Sequence, residues 1–298
     1  MRHRATTVLA ALLFKTAALA LVLPPLRALR AGLIDRAAAT ALMRTATVRF
    51  ESDGWARDAA RSLRDEGFCV VRAGGAQISD RILESCRSVA SARLSDLLAR
   101  VGRRGVDLWP DASEPFRYLE LVHREGTGRY DMPLPWCIDG QAGDVSLPAA
   151  DEAAFGELHS AMDEVARPVV GALWAEQAVS AEMRAGCVIS EPGALAQPSH
   201  RDGPDGLVTV FAPLTAFVPR NGPTELSPST HHECDDSAPS GVAPLLQPGD
   251  LLLFDYRCLH RGLANEGDAR REVAYAVYAR DGVRDVQNFP SATTLEFD

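Results

Sequence analysis

A His-x-Asp pair at His200 and Asp202, answered far downstream by His260 and then Arg271, constrains this chain more than any other feature. Side chains alternate along an extended backbone, so His200 and Asp202 project to the same side of a strand. His260 ends the apolar run that starts at Leu251, just after the turn signal Pro248-Gly249-Asp250. The residues between leave room for several short strands to return beside the first. Two imidazoles and one carboxylate on one face of a metal suit non-haem Fe(II) and leave coordination positions open. The chain must therefore fold so that two strands distant in sequence lie side by side.

The surrounding pattern predicts how. Cys187-Val188-Ile189-Ser190, Leu207 to Phe211, Leu214 to Val218, Leu251 to Tyr256 and Glu272 to Ala279 read as short strands. Asn221-Gly222 and Pro248-Gly249 supply turns. Short, regularly spaced strands argue for a sandwich or jelly roll. Helices come first. Ser52-Asp53 is expected to cap a helix through Trp55 and Leu63 that ends at Glu66-Gly67, and Phe68 to Val71 follows as a strand. Ser79-Asp80 opens a longer helix carrying Leu83, Cys86, Leu94 and Leu97. Residues 102–150, with Trp109 and Trp136, read as irregular, and a further helix spans about Ala150 to Leu173, ending near Pro168 or after it. The expected class is α+β, with helices outside the β core.

Arg271 shares parity with Val273, Tyr275 and Val277, which aims its guanidinium at the interior. A buried arginine is costly unless paired, and a guanidinium binds a carboxylate bidentately. A dicarboxylate cosubstrate would supply the partner. Against this set, His231-His232-Glu233-Cys234 reads as a structural turn, because adjacent histidines on extended backbone point apart. His123 and His159 read as surface or satisfied core residues, and Cys258 as packing. Arg129-Tyr130-Asp131 reads either as a solvated loop or as a segment over the cavity mouth that recognises a polar substrate.

The run Gln197-Pro198-Ser199-His200-Arg201-Asp202 resembles that of the phytanoyl-CoA dioxygenase family. So do Asn221-Gly222-Pro223-Thr224, Pro228-Ser229-Thr230-His231, the stretch from Pro248 through His260 and Asn265 to Arg271, and the opening Asp65 to Val71. The resemblance covers about residues 50–280. It implies a double-stranded β-helix (jelly-roll, cupin-like) core that holds Fe(II) through His200, Asp202 and His260. It also implies that Arg271, with Gln197 as a further contact, holds 2-oxoglutarate. The implied reaction uses O2, releases succinate and CO2, and hydroxylates a small or lipid-like molecule. The chain departs from the family pattern twice: Ser229 replaces a usual glycine, and Gly262 replaces a frequent serine two residues after the distal histidine. A jelly-roll binding module without turnover, and an O2-independent metal-dependent isomerase or lyase, are the competing expectations.

The 298 residues carry a net charge of −9. Residues 1–34 hold five basic residues and no acid, which leaves 26 Lys+Arg against 40 Asp+Glu in the rest. So acidic a body repels phosphate backbones, which argues against nucleic acid as a partner. The apolar run 8–23, with basic flanks and Lys15 inside it, is short for a spanning helix and reads as a signal, anchor or transit segment. Residues 1–45 are thus set apart as a targeting or membrane-anchor segment and linker, and 46–298 as the catalytic domain. Membrane association through that segment is left open, as is the compartment. The six cysteines form no CxxC pair and read as buried thiols.

Overall fold

The computed structural model describes residues 36–73, 77–109, 115–124, 127–133, 137–138, 141–142, 149–175, 179–232, 241–285, 288 and 293–295. The apolar run 8–23, Trp136, Glu233 and Cys234 lie outside these residues. The chain opens with α1 (Arg36–Thr45), β1 (Thr47–Arg49), α2 (Trp55–Glu66), β2 (Phe68–Arg72) and α3 (Asp80–Arg103). Five short strands follow: β3 (Phe116–Tyr118), β4 (Leu121–His123), β5 (Arg129–Met132), β6 (Cys137–Ile138) and β7 (Gln141–Ala142). Then come α4 (Ala149–Leu173), β8 (Val179–Ser190), β9 (Leu207–Pro213), β10 (Thr224–Leu226), β11 (Asp250–Asp255), β12 (His260–Gly262), β13 (Arg271–Arg280) and β14 (Thr293–Thr294).

Ten strands form one sheet in the order β1-β2-β11-β9-β13-β8-β5-β4-β3-β14. Its pairs are antiparallel except β1 on β2 and β14 on β3. A second layer is built from the β10–β12 pair, extended by bridges between His200 and His260 and between Leu226 and Val242. The two layers enclose the pocket, which is the double-stranded β-helix. Period-two alternation sorts the large sheet. On β11, Leu251 and Leu253 pack with the helices, while Leu252 and Phe254 join Phe68, Val70, Phe217 and Val273 in a second cluster. Buried Leu63, Leu83, Leu94, Leu97, Leu158 and Met162 cover the outer face. Each such side chain contributes roughly 1.5–3 kcal/mol by leaving water. The helices therefore lie outside the β core, as the α+β reading expects.

Local details depart from the sequence reading in three places. First, α2 is not capped by Ser52 or Asp53. Its N-cap is Gly54, with φ 73°, and the Ser52 hydroxyl instead donates to the Arg49 carbonyl. Second, the stretch 102–150 is not irregular throughout, because β5 inserts between β8 and β4 in the large sheet. Third, Leu214 to Val218 is not a strand. The chain bends after Pro213, and Leu214 and Thr215 both donate backbone N–H to the Glu272 carbonyl. As expected, α4 continues past Pro168 to Leu173. The lost N–H costs one helical bond, but Val165, Val169 and Val170 around it are fully buried. In α1, Leu42 and Met43 pack against the second cluster, so the last turns of the segment set apart touch the core. No described helix is long and apolar enough to cross a membrane.

Candidate metal centre and its pocket

His260 opens β12, and His200 sits on the extended segment beside it. Each donates its backbone N–H to the other's carbonyl at 3.0 Å. That antiparallel exchange places the rings 4.5 Å apart. Asp202 is tied one step further by its N–H to the Tyr256 carbonyl at 2.8 Å. The outcome is a cluster in which one ligand atom from each of His200, Asp202 and His260 lies within 4.8 Å of the others. The Asp202 carboxylate is 3.7 Å from His200 Nε2 and 3.6 Å from His260 Nε2. Two metal–ligand bonds of roughly 2.0–2.2 Å each span such gaps after small side-chain rotations.

The tautomers follow from the partners. His200 Nδ1 is 2.9 Å from the Pro198 carbonyl, and His260 Nδ1 is 2.9 Å from the Cys258 carbonyl. A carbonyl only accepts, so each Nδ1 carries the proton and each Nε2 turns a lone pair toward Asp202. Partial burial, and then the His260 ring, lower the His200 pKa below the usual imidazole range. The ring is therefore neutral, the form that ligates.

Behind the cluster lie two buried guanidiniums. Arg271 is 2% exposed; it donates to the Gly222 carbonyl at 2.6 Å and to Ser190 Oγ at 3.0 Å, with its face 5.0 Å from the Phe217 ring. Arg129 is 3% exposed and donates to the same Ser190 hydroxyl and to the Leu195 and Leu263 carbonyls. The Nε of each has no hydrogen-bond partner, and no carboxylate is bonded to either among the described residues. Burial, and then Arg129, push Arg271 down to about 9; burial pushes Arg129 down to about 10. Two unmatched buried cations are a defect in an empty fold and a receptor for a dicarboxylate. The residues present therefore fit both an iron and a dianionic cosubstrate.

Gln197 completes this end. Its side-chain oxygen accepts the Gly262 N–H at 2.9 Å, while its own N–H reaches the Gly262 carbonyl. A Cβ at Gly262 would lie 2.8 Å from both the Arg129 guanidinium and the Gln197 oxygen. The glycine that departs from the family pattern thus makes room for Arg129. The other departure, Ser229, adopts φ 62°, the left-handed region that explains the usual glycine.

His200, Asp202, His260, Arg271 and Gln197 all line one cavity of about 110 Å³, several times the roughly 10–15 Å³ that one water needs. Arg129 and Asp131 line it too, so this segment is not a solvated loop. It is sheet, and Arg129 lies at the Arg271 end. Sequence reading also missed Arg124, Tyr256 and Asn288 as lining residues. His231 and His232 do not point apart: they sit in a short 3₁₀ turn with rings 3.8 Å apart. Both Nε2 atoms approach the Arg64 carbonyl, at 3.0 and 2.8 Å, near the end of α2. That spends their donors on a helix terminus and bears out the structural reading of the turn. His123 is a core residue stacked on Phe116, and His159 is half-buried on α4. Cys258 is buried, its thiol raised to about 12 by burial, and it does not line the pocket. Cys69, Cys86, Cys187 and Cys258 are free and buried thiols.

A jelly roll with two histidines and a carboxylate converging on open coordination space is the architecture of the non-haem iron oxygenases. Residues 63–273 match the phytanoyl-CoA dioxygenase (PhyH) family, and the chain belongs to it. Among curated proteins it is similar to the multifunctional dioxygenase ausE of Penicillium brasilianum, 30% identical over 132 residues, covering 36% of this chain and 44% of that protein. It is also similar to the dioxygenase aneA of Aspergillus aculeatus, 32% identical over 90 residues, covering 28% of this chain and 30% of that one. The chain thus spans less than half the length of these relatives. In fold it is similar to AviO1 from Streptomyces viridochromogenes Tue57 (TM-score 0.50, 19% identity, 76% of this chain and 95% of that one). A second likeness is to SnoN, the non-heme alpha-ketoglutarate-dependent epimerase from nogalamycin biosynthesis (TM-score 0.51, 14% identity, 80% and 89%).

Proposed function

We propose that this protein is an Fe(II)- and 2-oxoglutarate-dependent dioxygenase that hydroxylates a small-molecule or lipid-like substrate. His200, Asp202 and His260 hold the iron. Arg271 and Arg129 take the distal carboxylate of 2-oxoglutarate, and Gln197 keeps the Gly262 backbone in place beside them. Iron, 2-oxoglutarate and O2 together supply the oxidising chemistry, with succinate and CO2 as co-products. The chain supplies orientation and a dry cavity. Nδ1–H bonds to Pro198 and Cys258 fix both rings, so each Nε2 is left to ligate an iron that His200, Asp202 and His260 would hold at the pocket wall. The observation that carries the reading is the pair of buried guanidiniums with no bonded carboxylate, directly behind a two-histidine, one-carboxylate cluster.

Residues 46–298 form the catalytic unit, and residues 1–45 are read as its delivery or anchor segment. The test is succinate release from 2-oxoglutarate under O2 with added Fe(II). His200→Ala should abolish iron binding and succinate release together. Arg271→Ala should weaken 2-oxoglutarate far more than iron, by roughly 2–5 kcal/mol for loss of a buried charge partner. Retained turnover in the first, or unchanged cosubstrate affinity in the second, sinks the assignment. SnoN, described as an epimerase, shares this fold. Product analysis therefore decides whether the outcome here is hydroxylation.

A further inference from the structure

The two ends of the pocket differ in charge and in hydrogen-bonding sense. At the Arg129–Arg271 end, the wall offers donors and unmatched positive charge. At the other end, a belt of side chains runs from β13 to the C-terminal segment. The Tyr275 hydroxyl donates to Asp131 Oδ1 at 2.7 Å, and Arg124 donates to Asp131 Oδ2 at 3.1 Å. Arg124 also reaches Asn288 Oδ1 at 3.4 Å. The Asn288 amide donates to Asp285 at 2.8 Å and to the Asp202 carbonyl at 3.1 Å, while the Tyr256 hydroxyl donates to Asp285 at 3.0 Å.

A phenol carries one proton. Tyr275 and Tyr256 each spend theirs on a carboxylate, Asp131 and Asp285 respectively. What these residues turn to the cavity is lone pairs. The positive charge of Arg124 is matched by Asp131, with Asp285 a further anion in the belt. The remaining wall here is apolar, with Val188, Phe211 and Val277. Tyr275 owes its position to Gly186 across the β13–β8 pair, since a Cβ there would clash with the phenol.

We infer that the substrate, on the dioxygenase reading above, is an uncharged molecule with an apolar face and hydroxyl groups that donate hydrogen bonds to Tyr275, Tyr256 and Asp131. A carboxylate brought to this wall meets acceptors and the Asp131 carboxylate, with Asp285 behind Tyr256 and Asn288. An ammonium group brought here lies beside the Arg124 guanidinium, the cation of this wall. Neither mismatch arises for an alcohol, so the wall excludes charged analogues by desolvation and repulsion.

The test uses the full chain with Fe(II), 2-oxoglutarate and O2. The probes are 4-tert-butylcyclohexanol, 4-tert-butylcyclohexanecarboxylate and 4-tert-butylcyclohexylamine, and the readout is stimulation of succinate release. Basal release without probe reports the dioxygenase reading on its own, so its absence defeats that reading rather than this one. The expected result is stimulation by the alcohol at least roughly tenfold above either ion, the scale on which a hydrogen-bonding site discriminates. Asp131→Asn keeps shape and removes the charge facing Arg124, so the alcohol-to-carboxylate ratio should fall by roughly tenfold. Tyr275→Phe should lower the alcohol response without raising the carboxylate response. These ratios do not depend on how much protein folds. Preference for the carboxylate or the amine, equal response to all three, no response to any, or an Asp131→Asn ratio unchanged from the parent overturns the inference.

Discussion

The Ser190 hydroxyl stands between Arg129 and Arg271 and accepts from both. At this scale the pocket is a problem in charge. Neither guanidinium could be read as a pair from the sequence, because Arg129 lies in a four-residue strand with no apolar alternation. Arg271 was legible because β13 is long and its parity is unbroken to Tyr275. Ser229 presents a smaller residue-level conflict. Its φ of 62° costs a non-glycine residue about 1–2 kcal/mol, offset in part by its hydroxyl bond to the Asp65 carbonyl at 3.1 Å. Ser229→Gly should therefore raise stability by between zero and about 1 kcal/mol, read from the urea midpoint. A loss beyond about 1 kcal/mol would show that the hydroxyl bond outweighs the strain.

Among elements, the junction of α2, β2 and the His231 turn ties the helical layer to the strands around the metal. Gly67 closes α2 with φ 82° and its N–H on the Leu63 carbonyl, and the Asp255 N–H at the end of β11 bonds the Gly67 carbonyl at 2.9 Å. A Cβ on Gly67 would lie 2.6 Å from His231 Nδ1. Gly67→Ala must both hold a left-handed residue and push back the ring that bonds Arg64. The expected cost is about 1–3 kcal/mol, seen as a lowered thermal midpoint. An unchanged midpoint would mean that the turn moves freely. The helix–strand unit here was legible from Glu66-Gly67 followed by an apolar run. Why the glycine cannot be replaced was not, because the clashing ring comes from a turn far along the chain.

For the molecule as a whole, the two guanidiniums without a bonded carboxylate are a stability cost that the proposed cosubstrate would relieve. Binding to the folded state alone stabilises by RT ln(1 + [L]/Kd), or about 2.7 kcal/mol at a hundredfold excess over Kd. With a metal present, 2-oxoglutarate should raise the melting temperature by an amount that grows with its logarithmic concentration. In Arg271→Ala the metal-induced rise should persist and the 2-oxoglutarate rise should vanish. An equal 2-oxoglutarate rise in both proteins would place the dianion elsewhere. The two-layer closure makes this coupling direct, since β13 carries Arg271 and pairs with β9 and β8 through the centre of the large sheet.

By itself the sequence determined the elements of long, clear period and the residues whose meaning is local. These are α3 with its Ser79 cap, the alternation of β11 and β13, the shared face of His200 and Asp202, and the turn before His260. Short-range periodicity encodes which side of a strand a residue faces, and that suffices for a metal-ligand pair. Only the tertiary structure decided that β5 enters the sheet, that Arg129 occupies the space Gly262 leaves open, and that Tyr275, Asp131, Arg124 and Asn288 join into one belt. Those placements depend on pairing between strands far apart in the chain, and no local pattern records which strand a short polar segment will lie beside.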